Sequence, residues 1–216
     1  MRKKMKMKLM TGVATLAMAL VAPMALGQIL NGSFEAGTGA DADSWTRFGN
    51  AFREANTPNG SFARTGTHSM KQFGNFSGGF NVTGAFQNFA ISTGETVSAS
   101  VWAQTLAGDR MSGGNSALLK LVYFDANNVE VAFAESNRID ATTTPDTYIE
   151  LTASLGPATS NVAYGQLLLL HLQPAVAGGS VFFDDVSLDV EAVPEPATLT
   201  VLGLAAAAAL RKRRQK

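Results

Sequence analysis

The chain has 216 residues, no cysteine, and 17 basic against 17 acidic side chains. Ten of the basic residues lie near the two ends, so the segment 28–192 holds seven basic and sixteen acidic residues, a net charge of −9. An acidic segment repels phosphate backbones, which excludes nucleic acid as a partner, and the lack of cysteine excludes disulfide bonds as a source of stability.

The N-terminus has the order of charged and apolar residues that is typical of a secretory signal peptide. Residues 1–8 include five basic side chains, and an apolar run follows over residues 9–26. Ala25-Leu26-Gly27 then places small residues at the −3 and −1 positions of a cleavage site. We therefore predict that residues 1–27 are a signal peptide cut before Gln28, with an uncleaved membrane anchor as the alternative.

The sequence between the two ends predicts short strands separated by turns rich in Gly, Pro, Asn and Asp. Residues 95–105 alternate apolar and polar side chains, as expected for a strand with one buried face. Residues 164–172 are apolar throughout, which is typical of a central strand. The other predicted strands are 29–36, 67–73, 85–91, 117–124, 129–134, 148–153 and 179–190. We predict an all-β fold, a single jelly-roll β-sandwich over residues 28–192.

The last predicted strand, 179–190, contains a carboxylate among apolar residues. With strict alternation, Phe182, Asp184 and Val186 share one face, which we predict to point into the core. A buried carboxylate is costly unless a cation or several hydrogen-bond donors compensate it. Asp184 is therefore predicted to bind a metal or to accept backbone N–H bonds, and Asp185 becomes the metal ligand if the alternation is reversed.

The last 24 residues differ in composition from the rest of the chain. Pro194-Glu195-Pro196 is followed by an uncharged apolar run over residues 197–210, which is short for a membrane span. By the positive-inside rule, the basic end that follows would stay in the cytoplasm. That end includes Arg211, Arg213 and Arg214. In this order, the three parts resemble the PEP-CTERM sorting signal of exported bacterial proteins.

This resemblance implies that residues 193–216 are a sorting tail that contains a C-terminal apolar helix. An exosortase would recognise the tail and cleave near the Pro-Glu-Pro motif, after the helix has held the chain transiently in the inner membrane. The exported domain would then lie at the cell surface or in the extracellular polysaccharide matrix.

Three stretches of the segment 28–192 resemble carbohydrate-binding modules of the galactose-binding-like jelly-roll type. Residues 31–35 read NGSFE, residues 94–103 read GETVSASVWA, and residues 179–188 read GSVFFDDVSL. Their order and spacing match those of the modules, although Val97 stands where an aromatic residue is common. The resemblance supports the predicted sandwich and implies that the domain binds polysaccharide.

The same resemblance implies a structural calcium ion near the place where the first and last strands meet. Its ligands would be the carboxylates of Glu35 and Asp184, together with backbone carbonyl groups around residues 66–68, and Asp185 is the fallback. Hard oxygen ligands of this kind are the ones that calcium prefers.

A sugar site needs an aromatic platform for the C–H face of the ring and polar groups beside it for the hydroxyls. Trp102 is the first candidate, because its neighbours on the same strand face are Ser100 and Gln104, and His171 is the second. The alternatives are that a loop such as 75–84 covers Trp102 and that His171 is a hydrogen-bonded rim residue. The predicted sugar contacts are Trp102, Gln104, His171, Gln173, Lys120 and Tyr123.

Motifs that mark a catalytic site are missing from the sequence. It has no Gly-x-Ser-x-Gly, no His-Glu-x-x-His and no phosphate-binding loop, and its two histidines are His68 and His171. We therefore expect a non-catalytic protein that binds polysaccharide. A structural matrix protein without a sugar ligand is the main alternative, and a glycan hydrolase with two facing carboxylates is the other.

Overall fold

The computed structural model describes residues 28–58 and 60–192. The predicted signal peptide 1–27 and the predicted tail 193–216 lie outside these residues, so the structure does not bear on either of them. Within the described part of the chain, no helix is long and apolar enough to cross a membrane.

The described residues form an almost entirely β structure, as predicted. Their thirteen strands are β1 Gly37–Thr38, β2 Asp41–Ala42, β3 Thr46–Phe48, β4 Asn50–Ala55, β5 His68–Phe73, β6 Asn81–Phe89, β7 Glu95–Gln104, β8 Ser116–Phe124, β9 Glu130–Glu135, β10 Ile139–Asp140, β11 Ile149–Leu155, β12 Tyr164–Gln173 and β13 Ser180–Ala192. The helical structure in this part of the chain is a single 3-10 turn at Ala107–Asp109.

The strands form two antiparallel sheets that enclose one core. The five-stranded sheet has the order β11-β7-β13-β5-β4. The six-stranded sheet has the order β10-β8-β12-β6-β3, and β9 also pairs with β8. A separate ribbon is formed by β1 and β2. Two facing sheets, each burying one side of its strands, confirm the predicted β-sandwich.

The core lies between the sheets and consists of alternate residues from neighbouring strands. Leu119 and Leu121 of β8 and Leu167 and Leu169 of β12 are fully buried, and Val101 of β7 belongs to the same cluster. Burial of each such side chain stabilises the fold by roughly 1.5–3 kcal/mol. Strand β12 lies between β6 and β8, which confirms the central strand predicted from its unbroken apolar sequence.

Residues 29–36, predicted as the first strand, are instead a series of turns. Asn31 and Phe34 have φ values of 53° and 57°, which an extended strand does not allow. The Asn31 side chain donates to the carbonyl groups of Ala36 and Asp43 and accepts from the Ala36 N–H. Phe34 is nevertheless fully buried. The segment therefore contributes to the core without joining a sheet.

A β-bulge in β13 reverses the alternation that the prediction for its carboxylate assumed. The pairing of β13 with β7 shifts register between Asp184 and Ser187, and Asp185 has a φ of 50°. As a result, Phe183 before the bulge and Val186 after it both lie in the core. Asp184 points to the outer face of the five-stranded sheet, so the prediction that it faces the core is wrong. It is fully buried all the same, because a loop covers it.

Candidate functional site

The outer face of the five-stranded sheet carries Trp102, the first candidate residue. In the strand register, Trp102 of β7 pairs with Asp184 of β13. Ser100 of β7 pairs with Ser187 of β13 and with Thr152 of β11. Directly paired residues of antiparallel strands project to the same side of the sheet. The polar alternation predicted for β7 therefore continues across three adjacent strands.

The cover loop, residues 56–58 and 60–67, lies over the middle of this outer face. The Phe62 ring stacks on that of Phe182, with centroids 5.3 Å apart and an angle of 21° between the rings. The Phe62 carbonyl accepts hydrogen bonds from the Tyr148 hydroxyl and from the Gln104 amide. Gln104, a predicted sugar contact, is only 4% exposed. Gln104 therefore supports the cover loop and lies out of reach of a polysaccharide, contrary to the prediction that it contacts sugar.

Trp102 is half-buried, and an arginine of the cover loop lies against it. The guanidinium carbon of Arg64 is 3.9 Å from the centre of the indole ring. The same side chain donates to Asp185 Oδ2 at 2.6 Å and is 35% exposed. Trp102 is therefore neither a core residue nor a fully open platform, because one face of its ring is held under a partly exposed cation.

The carboxylate of Asp184 lies beneath the cover loop and is held by backbone N–H groups. Its Oδ2 accepts from Arg64 at 2.7 Å and from Thr65 at 3.1 Å, and its Oδ1 accepts from Asp185 at 2.8 Å. Burial raises the pKa of Asp184 to about 6. The backbone hydrogen bonds act in the opposite direction but do not cancel the effect of burial. Of the two roles predicted for a buried Asp184, the structure contains the second, a carboxylate that accepts backbone N–H bonds.

Glu35 holds the end of the cover loop in a similar way. Its Oε1 accepts the N–H groups of Thr67 and His68, both at 2.8 Å, and its Oε2 accepts the Thr67 hydroxyl at 2.9 Å. Burial acts to raise the pKa of Glu35, but the hydrogen bonds outweigh it and lower the pKa to about 2. Gly66 is required here, because its φ is +63° and an added Cβ would lie 2.4 Å from Glu35 Oε1.

These contacts determine how well the predicted ligands fit a calcium ion. The oxygens of Glu35 and Asp184 already accept hydrogen bonds, and Thr67 and His68 present N–H groups to Glu35 where carbonyl groups were predicted. Asp185 is paired with Arg64. Among the described residues, no group of three or more Asp, Glu, His or Cys side chains is arranged to hold a metal. In this arrangement the residues do not fit calcium, and calcium binding stays a prediction from the resemblance alone.

Beyond Trp102, the outer face is open and lined by small polar side chains. A groove of about 640 Å³ is bordered by Ala134 and Glu135 of β9. The Oγ atoms of Ser100 and Ser187 lie 3.0 Å apart in it. Hydroxyl groups both donate and accept hydrogen bonds, so this floor can bind the hydroxyls of a sugar. Its polar residues are Ser98, Ser100, Thr152, Ser154, Ser187 and Asp189.

The other predicted sugar contacts do not lie on this face. His171 and Gln173 of β12 are fully buried, and Tyr123 of β8 is only 2% exposed. All three are on the side of their strands that turns toward the other sheet. Lys120 lies on the outer face of the six-stranded sheet, with its Nζ 3.0 Å from Glu130 Oε2. These four residues therefore cannot form one sugar site with Trp102 in this fold, contrary to the prediction.

His171 and Gln173 are both buried but differ in their hydrogen bonding. Neither ring nitrogen of His171 has a hydrogen-bond partner within the described residues. Burial lowers the pKa of His171 to about 4, although the negative charge of Asp109 acts in the opposite direction. Both polar atoms of the Gln173 side chain are bonded, because its Oε1 accepts the Phe76 N–H at 3.0 Å and its Nε2 donates to the Ala177 carbonyl at 2.7 Å. It therefore ties together the two loops at one end of the sandwich.

Sequence reasoning missed Arg64 and most of the polar groove. Arg64 lies in a loop, and no local pattern indicates that its side chain reaches Trp102. The groove could have been predicted in part from the sequence, because Thr152 and Ser154 alternate with the buried residues Leu151 and Ala153 along β11. That alternation predicts a polar face, but the neighbouring strand that continues the face is known only from the pairing.

The C-terminal part of the chain matches a known family model. Residues 192–214 match the PEP-CTERM protein-sorting motif. The matched span includes Pro194-Glu195-Pro196 and the basic residues Arg211, Arg213 and Arg214. The match confirms the resemblance of the tail and indicates an exported protein with a membrane-anchored sorting intermediate that an exosortase processes. None of the curated proteins matches the chain in sequence.

Solved structures with a similar fold include carbohydrate-binding modules. The CBM22-1 xylan-binding domain of Paenibacillus barcinonensis Xyn10C has a TM-score of 0.51 and 17% identity, over 75% of this chain and 93% of that chain. The CBM22-1–GH10 modules of Clostridium thermocellum Xyn10B, complexed with xylohexaose, have a TM-score of 0.50 and 18% identity, over 79% and 29%.

An enzyme also has a similar fold. The Stig cyclase Fisc from Fischerella sp. TAU has a TM-score of 0.56 and 14% identity, over 79% of this chain and 100% of that chain. At these identities the similarities show the fold alone, which is the jelly-roll β-sandwich of the carbohydrate-binding modules.

Proposed function

We propose that this protein is an exported, non-catalytic carbohydrate-binding protein that an exosortase sorts to the cell surface or the extracellular matrix. The observation that carries the proposal is the half-buried Trp102 beside a groove lined by hydroxyl groups, on a sandwich of the carbohydrate-binding-module type. The PEP-CTERM motif supports the sorting step.

Trp102 and its neighbours supply the two kinds of contact that a sugar ring needs. The C–H face of a pyranose packs on an indole ring, and aromatic contacts contribute on the order of 1 kcal/mol beyond the area that they bury. Arg64 and Asp185 at the ring, and Ser100 and Ser187 beyond it, are partners for sugar hydroxyls. The net charge of −9 over residues 28–192 favours a neutral polysaccharide over an acidic one.

A binding role has better support than a catalytic one. Asp184 is the carboxyl group with a pKa near that of a general acid. It is buried, and its two oxygens accept three backbone N–H bonds. A carboxyl group in this position cannot reach a glycosidic oxygen, which glycoside hydrolysis requires. Because cyclases share the fold, the binding assay is paired with an assay for released reducing ends.

Affinity electrophoresis of the secreted protein tests the proposal, in gels that contain soluble xylan, galactan, glucomannan or hydroxyethylcellulose. We expect retardation of the wild type in at least one gel and loss of most of it in Trp102→Ala. Phe133→Ala is the matched control, because Phe133 is 55% exposed and lies on the six-stranded sheet. A wild type that migrates freely in every gel would favour the structural matrix protein. Release of reducing ends would establish a hydrolase.

A further inference from the structure

A second depression lies on the outer face of the five-stranded sheet, on the other side of the cover loop from the polar groove. It has a volume of about 260 Å³ and is lined by Lys71, Phe73, Phe76, Asp109 and Gly179. The register of β5 and β13 pairs Phe73 with Ser180 and Lys71 with Phe182. The depression therefore belongs to the same face as Trp102, near the first residue of β13.

Aromatic rings form a row along this depression. The ring centroids of Phe52 and Phe73 are 5.4 Å apart, and those of Phe73 and Phe76 are 6.2 Å apart. Phe76 is 47% exposed, whereas Phe52 and Phe73 are partly buried. The row presents an apolar surface to the solvent at its Phe76 end, next to charged groups.

The backbone of Phe76 is held by a buried side chain. Gln173 is fully buried, and its Oε1 accepts both the Phe76 N–H at 3.0 Å and the Asn81 side-chain amide at 2.8 Å. Phe76 has a φ of 57°, a conformation that is uncommon for a bulky residue. Exposed aromatic residues in loops are usually free to move, but these contacts fix the backbone that carries Phe76.

Polar groups border the aromatic row on the side of the 3-10 turn. Lys71 Nζ lies 3.7 Å from Asp109 Oδ2 and 5.2 Å from the centre of the Phe182 ring. The Ser180 hydroxyl donates to Asp109 Oδ2 at 2.7 Å. Gly179 lets the chain just after this turn lie close to the start of β13, because a Cβ at this position would lie 2.3 Å from Met111 Cα.

We propose that this depression is a second sugar-contact site, in which Phe76 and Phe73 pack on a neutral pyranose ring and Lys71 and Asp109 bond its hydroxyls. The composition of the site favours a sugar over a purely apolar partner, because Lys71 and Asp109 line the same depression as the rings and can bond hydroxyl groups. The proposal rests on the proposed function and adds a separate place on the domain where a polysaccharide is held.

The cover loop separates the two sites. Phe62 stacks on Phe182 between them, and residues 180 and 187 of β13 are roughly 20 Å apart at the usual rise per residue of a strand. A long polysaccharide can contact both sites, and the second contact then forms at a high effective concentration. Loss of either site therefore weakens the binding of a polymer without abolishing it.

The test compares single and double variants of the secreted protein in the same four polysaccharide gels. Phe76→Asn removes the ring and keeps a residue that tolerates positive φ. Phe80→Ala is its matched control, because Phe80 is 67% exposed in the same loop but does not line the depression. We expect Phe76→Asn to weaken polymer binding about tenfold, Phe80→Ala to bind like the wild type, and Phe76→Asn combined with Trp102→Ala to lose retardation.

The outcomes separate this proposal from the proposed function. Unchanged retardation of Phe76→Asn, in every gel that retards the wild type, would overturn the second site and leave the Trp102 site standing. Equal weakening by Phe76→Asn and Phe80→Ala would also overturn it, because the effect would then belong to the loop in general. No retardation of the wild type in any gel would overturn both proposals. If Phe76→Asn lowers the melting temperature strongly, Asp109→Asn takes its place and should weaken binding as well.

Discussion

The guanidinium group of Arg64 lies over the indole ring of Trp102, 3.9 Å from its centre, and at the same time bonds the carboxylate of Asp185. This relationship joins the cover loop to the strand that carries the proposed sugar contact. A cation on a partly exposed indole contributes about 0.5–1 kcal/mol. Arg64 therefore covers part of the Trp102 ring that a ligand would have to reach.

Removal of Arg64 should open the Trp102 ring to solvent. In a Trp45→Phe background, where Trp102 is the remaining tryptophan, Arg64→Ala should increase acrylamide quenching of fluorescence and lower the free energy of unfolding by about 1 kcal/mol. Arg64→Lys is the control, since it keeps the charge but loses the planar stacking group. Quenching that is the same in Arg64→Ala and in the background protein would show that Arg64 does not cover the ring in solution.

Asp184→Asn should destabilise the domain by about 1–3 kcal/mol, because it replaces one of the two acceptor oxygens by an amide N–H₂ group, which then faces at least one backbone N–H donor. Asp185→Asn is the matched control, and its loss should be about 1 kcal/mol or less, since the Asp185 ion pair is partly exposed. Urea denaturation of the two variants measures the difference. Equal losses would contradict the role assigned to the buried carboxylate.

Calcium dependence tests the ligand set that the resemblance implies. Glu35 and Asp184 are satisfied by N–H and O–H donors, so we expect EDTA to leave the melting temperature unchanged. Binding of an ion to the native state alone would stabilise it by about 2.7 kcal/mol at a hundredfold excess over Kd. A fall in melting temperature with EDTA that added calcium reverses, and that Asp184→Ala abolishes, would establish the calcium site after all.

Acidification should destabilise the domain through His171. Its pKa is about 4 in the folded protein and 6.5 in its ordinary state, so the unfolded chain binds the proton first. Stability is therefore lost as the pH falls from 6.5 toward 4, by about 3 kcal/mol at most.

The appropriate comparison for this prediction is between the wild type and His171→Leu. Asp184 acts in the opposite sense, because its pKa of about 6 exceeds 3.8 and its contribution to stability rises as the pH falls through that range. Asp184 is common to both proteins, so its effect cancels in the difference. The urea midpoint of the wild type, relative to that of His171→Leu, should therefore fall between pH 7 and 4.5, and parallel curves would contradict the prediction.

The sorting tail makes a prediction about the location of the protein. Replacement of Pro194, Glu195 and Pro196 by alanine removes the motif that the exosortase would read. We expect the variant to accumulate in the inner-membrane fraction, because its apolar segment stays attached. Thr198→Ala, just after the motif, is the control and should be released like the wild type. Equal release of all three proteins, measured by cell fractionation and immunoblotting, would mean that the motif is not used.

Local pattern alone was enough to predict the fold class and much of the chemistry of one strand face. The alternation in β7 separates Val97 and Val101 from Ser100 and Trp102, and the structure buries the first pair and leaves the second on an outer face. Such alternation is reliable because successive side chains of a strand point to opposite sides. The tail is likewise a matter of local sequence, since the motif, the apolar run and the basic end follow one another along the chain.

Alternation does not reveal which sheet a strand joins or whether its polar side meets water. His171 lies in a strand that is apolar on both sides, so nothing local showed that its side chain turns inward. Lys120 lies on a different sheet from Trp102, and only the strand pairing separates them. The six predicted sugar contacts therefore do not lie together in the fold, and sugar binding by any of them stays a prediction.

By itself, the sequence determined an all-β domain, a polar face around Trp102 and a C-terminal sorting motif. The tertiary structure decided the side to which Asp184 points, because a bulge depends on the partner strand that accommodates the extra residue. It also decided what covers that face. The Arg64 N–H reaches Asp184 across 120 positions of sequence, and contacts over such a separation are set by the packing of the whole sandwich.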